Sequence, residues 1–201
     1  LKSPYVVAKK IQEGGFYDGD IKKLIGIDIE TGQVNEDINI TGEKDTKEKK
    51  INSPEDLDGL KIRVMESKTA FDMVKALGGS PTPISFGELY TSLQQGVVDG
   101  AENNPPSFYL SRHYEVCKYY TLDEHTILPD VLLMSTHIWD SFSDKERGWL
   151  SQAVKESITE QRKLWAKSEK QSLDAVKEAG VEIIIPDKTL FSKKSKIILE
   201  S

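Results

Sequence analysis

The stretch from Ser143 to Gly180 constrains this chain more than any other. Ser143 can cap a helix, Glu146 completes a capping box three residues on, and Gly180 is a natural stop. Trp149, Leu150, Val154, Ile158, Trp165 and Val176 form an interrupted apolar stripe among lysines and glutamates. At about 1.5 Å per residue such a helix is about 55 Å long, longer than a small domain is wide. It must be bent, broken, or laid across two lobes.

The rest of the chain reads as alternating strands and helices. Ser53-Pro54-Glu55-Asp56 carries a cap, a proline at the first helical position and an acid three residues after the cap, and that short helix stops at Gly59. LKIRVM then reads as a strand, and Lys68–Leu77 as a helix with Ala70, Phe71, Val74 and Leu77 on one face, closed by Gly78-Gly79. Ser85 and Glu88 form another capping box before a helix that Gly96 ends, and Val97-Val98 opens a short strand. Further strands are expected at Val131–Ser135 and Val181–Ile185. In residues 1–50, VVAKKIQ reads as a helix and KKLIGIDIETG as a strand entering a turn. This order implies α/β units. No repeat or low-complexity tract is evident.

Charge narrows the partners. A net charge of -6 and a pI near 5.2 argue against nucleic acid, because phosphate binding needs clustered Lys and Arg. The run Lys44–Lys50 mixes both signs and reads as a solvated loop. No apolar stretch reaches the length of a membrane span, and no signal peptide is visible. The opening LKSPYVVAKK lacks an initiator Met, as a processed or truncated product would. Cys117 is the only cysteine and reads as a small buried residue.

Three chemistries compete for the turn GVVDGAENNPPS, Gly96 to Ser107. His113, His125 and His137 recur every twelve residues, but no pair falls on one helical face, so no metal site is expected. Asp99 and Glu102 could pair for hydrolysis, yet acids in a glycine-containing turn more often bind neighbouring backbone N–H groups. No nucleophile elbow or phosphate loop is present, so no enzyme and no cofactor are expected. The third chemistry is anion binding. Arg63 lies in an alternating apolar strand, where a buried guanidinium needs a carboxylate. That carboxylate is either a ligand's or an internal partner's such as Asp99. Asn103 and Asn104 add neutral donors and acceptors, and Phe86, Tyr90, Phe108 and Tyr109 could wall such a site or belong to the core.

At these residues the sequence resembles a family. SPEDLDGLKIRVMES, FDMVKALGGSPTPISFGELYTSLQQGVVDGAENNPPSF and HYEVCKYYTLDEH, in this order, are similar to the DctP-type solute-binding proteins of tripartite ATP-independent periplasmic (TRAP) transporters. The resemblance covers roughly residues 51 to 185. It implies a periplasmic or extracytoplasmic receptor with two α/β lobes, of periplasmic-binding-protein type, closing over an organic acid and delivering it to a membrane permease. Arg63 then corresponds to the arginine that clamps the ligand carboxylate, Asn103 to the asparagine that also meets it, and Phe86 to the aromatic lining the pocket. The long helix corresponds to the family's lobe-spanning helix. Residues 1–45 and 129–168 are assigned to lobe one, and 46–128 and 169–201 to lobe two. Such receptors are longer than this chain, so the amino-terminal part of lobe one is expected to be missing. ENNPPSF and HYEVCKYYTLDEH resemble the subset that binds sugar acids such as uronates, with Asn104, Glu66 or His125 meeting ligand hydroxyls. A C4-dicarboxylate receptor is the alternative, and a sugar-acid-processing enzyme a more distant one. On this reading Asp99 and Glu102 are scaffold for the turn.

Overall fold

The structure, a computed structural model, describes residues 33–41, 50–129, 132 and 134–199. The readings of VVAKKIQ and KKLIGIDIETG lie outside the described residues. By its internal contacts the chain divides into two compact units, 1–34 with 128–167 and 35–127 with 168–201.

The second unit is built on a mixed α/β sheet, as the sequence implies. Its strands are β1 (Gln33–Ile40), β2 (Lys61–Val64), β3 (Ser80–Pro83), β4 (Gly100–Asn103), β5 (Tyr119–Pro129) and β6 (Glu182–Ile184), in the order β3-β2-β4-β1-β5-β6. β2 runs parallel to β3 and β4, and β5 parallel to β6, while β1 is antiparallel to β4. Residues 35–40 thus pair here, although the sequence reading placed everything before residue 46 in the other lobe. Their partners, from Ile40↔Gly100 to Asp37↔Asn103, are some sixty residues away, so no local pattern announces them.

Alternation along the strands splits the core between the two faces of the sheet. Ile38, Ile40, Ile62 and Val64 pack with Val74, Leu77 and Phe191. Ala101 and Tyr120 pack with Leu89, Leu93, Phe108 and Val176. Each of the larger apolar side chains that is fully buried contributes roughly 1.5–3 kcal/mol. Helix α1 (Lys68–Leu77) starts where the Ser67 hydroxyl accepts the Ala70 N–H at 3.4 Å and stops at Gly78, whose φ of 106° is left-handed. It buries Met73, Val74 and Leu77, whereas Phe71 is partly exposed. Ser53 and Asp56 form the expected box at the 3-10 turn Pro54–Leu57. At the second expected box, the Ser85 hydroxyl donates to Glu88 at 2.7 Å ahead of α2 (Leu89–Gln94). Val97-Val98 is a turn; the strand begins three residues later, at Gly100. A β-carbon on Gly100 would lie 2.3 Å from the Asn39 carbonyl oxygen, so only glycine lets β1 approach β4 this closely. Pro105 then opens α3 (Pro105–Leu110), which Asn104 caps by accepting the Ser107 N–H at 2.9 Å.

The described part of the first unit is mostly helical. α4 (Thr136–Ser141) leads into α5 (Asp144–Glu178), where Glu146 accepts from the Ser143 N–H and hydroxyl at 2.8 and 2.6 Å. Arg147 ties the two helices by donating to the carbonyls of Trp139 and Asp140, each at 3.0 Å. α5 is unbroken over 35 residues; it groups with the first unit up to Lys167 and with the second from Ser168. The expected strand at Val131–Ser135 does not form at its described residues 132, 134 and 135; the strand preceding them, β5, ends at Pro129. α6 (Lys188–Leu199) closes the second unit.

Candidate functional site

Arg63 occupies the middle of β2, facing Thr82 on β3 and Ala101 on β4, and is only 5% exposed. Its Nε donates to the Ile84 carbonyl at 2.8 Å, which fixes the guanidinium plane, and the guanidinium lies 5.7 Å from the centre of the Phe86 ring. Asp99, the internal partner considered for it, instead accepts the Lys61 N–H at 2.8 Å.

Arg63 lines a cleft of about 580 Å³ in the second unit, together with Glu66, Phe86, Glu102, Asn103 and Asn104. Met65, Ile84, Ser85 and Ser107 complete the wall. Five of the nine residues weighed for the site are therefore brought together: Arg63, Glu66, Phe86, Asn103 and Asn104. Phe108, in the core, and Tyr109, Tyr90 and His125 do not line the cleft. Tyr90 donates to Glu115 at 3.0 Å and does not line the cleft. His125 is buried behind the wall, its Nδ1 2.9 Å from Asp123 and its Nε2 3.1 Å from Glu102. It is thus committed to two carboxylates rather than offered to a ligand hydroxyl.

Burial alone would strip the proton from His125, but Asp123 and Glu102 outweigh it and hold the imidazole well above its usual range. His125 is therefore an imidazolium at neutral pH, and Glu102, taken from the sequence as turn scaffold, carries this ion pair into the cleft wall. Behind it Asp37 and Asp123 exchange backbone contacts. The Asp37 carboxyl accepts the Glu124 N–H at 3.0 Å, and the Asp123 carboxylate accepts the Ile38 N–H at 3.1 Å. Each side chain replaces a strand hydrogen bond where Glu124, at φ 48°, breaks the extended backbone. Burial, with the Asp123 charge nearby, pushes the Asp37 carboxyl up to about 8.

Asn103 is fixed at its backbone by the Tyr120 hydroxyl, which donates to its carbonyl at 2.6 Å. The sequence reading gave Glu102 only a scaffold role in the turn and did not single out Ser107, Asp37 or Asp123. The legible signal was a charged residue at an inward position of an alternating strand, as in NEDINI and TLDEH. Among the described residues no group of His, Cys, Asp and Glu has the arrangement of a metal site. A second hollow of about 380 Å³, lined by Thr41, Gln94, Tyr114, Lys118 and Gly180 among others, contains none of the residues named above as candidates.

The cleft thus sets a buried, oriented arginine beside two asparagines and an aromatic ring, an arrangement whose donors suit a small anion. The chain belongs to the DctP family, the bacterial extracellular solute-binding proteins of family 7, whose model matches residues 29–200. It is 41% identical over 151 residues to a solute-binding protein of Chromohalobacter salexigens, an alignment covering 75% of this chain and 45% of that one. Among solved structures it is similar to a TRAP periplasmic solute-binding protein from Sulfitobacter with bound β-D-galacturonate, at 36% identity and a TM-score of 0.72, covering 85% of this chain and 56% of that one. A TRAP periplasmic solute-binding protein from Pseudomonas putida with bound D-glucuronate shares 36% identity at a TM-score of 0.72, covering 83% and 52%. The chain thus spans about half the length of these relatives.

Proposed function

We propose that this chain is the ligand-binding part of an extracytoplasmic receptor that captures a sugar acid, a uronate in preference, and hands it to a TRAP membrane permease. The observation that carries this reading is Arg63, 5% exposed in an interior strand, opening on a cleft beside Asn103. Arg63 and Asn103 hold the carboxylate, Phe86 covers it, and Asn104 and Glu66 meet hydroxyl groups. The two compact units are the two lobes of the receptor. Binding is reversible and no covalent step is needed. The uronate-bound relatives support the choice of ligand class.

The test is calorimetry of the full-length protein with galacturonate, glucuronate and succinate, before and after Arg63→Ala. Removing one member of a buried charged pair costs about 2–5 kcal/mol, so affinity for a uronate should fall at least thirtyfold. Unchanged affinity refutes the clamp. Tighter binding of succinate than of either uronate replaces the sugar acid with a C4-dicarboxylate, and conversion of the uronate, followed by mass spectrometry, would make the protein an enzyme.

A further inference from the structure

The carboxylate-binding reading leaves His113 without a role. It opens the 3-10 turn His113–Glu115 and is 1% exposed. The preceding Arg112 has a φ of 61°, a left-handed conformation that costs a residue with a β-carbon, and His113 follows that kink into the interior. The imidazole stands edge-on to Phe86, with ring centres 5.6 Å apart, and to Phe108 at 6.5 Å. Its Nδ1 lies 3.5 Å from Asn103 Nδ2.

An amide nitrogen only donates, so this contact is favourable when Nδ1 accepts and the ring proton sits on Nε2. Burial, reinforced by the positive charge of Arg63, pushes the imidazole down to about 4, so it is neutral at neutral pH and able to accept. The backbone of Asn103 is already fixed by Tyr120 and by its register with Asp37. What stays undetermined is the side-chain amide, whose two ends have nearly the same shape and can exchange by rotation. One orientation offers a ligand carboxylate an N–H; the other sets a carbonyl oxygen against it.

We propose that His113 is a positioning residue for the carboxylate site: it accepts one Asn103 Nδ2 proton, and so holds the amide with its second Nδ2 proton available to the ligand. His113 also meets the Phe86 ring edge-on, the same ring that Arg63 lies over, so it supports a second residue of the cleft wall. This rests on the reading of Asn103 as a carboxylate contact.

His113→Phe keeps the edge contacts and removes the acceptor, whereas His113→Gln restores an acceptor through its amide oxygen. Titration of the full-length protein with galacturonate should show His113→Phe raising Kd about three- to tenfold, the scale of one oriented hydrogen bond. His113→Gln should stay within about twofold of wild type. In an Asn103→Ala background His113→Phe should add nothing, because its effect passes through Asn103. An unchanged Kd for His113→Phe, or an equal loss in the Asn103→Ala background, overturns the proposal. If His113→Phe does not fold, the glutamine variant decides: wild-type Kd supports the role, and a loss as large as that of Asn103→Ala refutes it. A wild-type protein that binds no galacturonate, glucuronate or succinate overturns the receptor reading itself, and this role with it.

Discussion

Replacing Asp37 with asparagine tests the buried acid group behind the cleft. Asp37 is 2% exposed and holds its proton to about pH 8, whereas an aspartate in the unfolded chain releases it near pH 4. Between these values the folded protein carries one proton that the unfolded chain has lost. Stability therefore falls as pH rises through that window, by about 1.4 kcal/mol per pH unit for a full proton difference. His125 acts with the same sign, since its folded value is also raised. Its contribution is fully present below about pH 6.5 and declines as pH rises above it. Asparagine has the shape of the protonated acid and nothing to ionise, and its carbonyl oxygen can still accept the Glu124 N–H. Urea unfolding of the full-length protein at pH 5, 6, 7 and 8 should show Asp37→Asn gaining on wild type at each step, by a total of about 2–4 kcal/mol. The two profiles should differ most at pH 8. Parallel profiles would show that Asp37 is ionised in the folded protein and that the account of its burial is wrong.

Two other outcomes follow from local geometry. Gly100→Ala sets a β-carbon 2.3 Å from the Asn39 carbonyl oxygen and should cost about 3 kcal/mol, lowering the thermal midpoint by about 6–12 °C; a shift under about 2 °C would show that β1 yields easily. Cys117, 3% exposed, has its thiol pushed by burial up to about 12, against a weaker opposing bond from Asn39. It should resist a thiol reagent at pH 8 until denaturant is added, and rapid native-state modification would refute its burial.

What could be read in advance followed from what lies close in sequence. Arg63 stood out because a guanidinium interrupts an apolar alternation, Asn103 and Asn104 because neutral amides crowd one turn, and the pocket roles of Asn103 and Phe86 came from the family resemblance. Ser53, Ser85 and Ser143 marked real starts because a cap and its acid are three residues apart. The failures are long-range. His125 looked available because Glu102, 23 residues away, is invisible as its partner from sequence alone. Asp37 and Asp123 meet across 86 residues through bonds that no local periodicity encodes. The pairing of β1 with β4, some sixty residues away, was invisible for the same reason. The strand expected at Val97-Val98 starts at Gly100 because what positions it is the close approach of another strand rather than its own apolar content.

The long helix α5 has a further consequence. Val154 is buried near one end and Ser172 and Val176 near the other, with no buried residue between them. Its middle carries only half-buried apolar residues such as Ile158 and Trp165 and exposed pairs such as Lys163–Glu160, the latter each worth only a few tenths of a kcal/mol. Regular geometry and resistance to opening therefore part company along one element. Hydrogen exchange should therefore be faster at the amides around residues 156–168, through local fluctuations, than at those near Val176, which wait for the core to open.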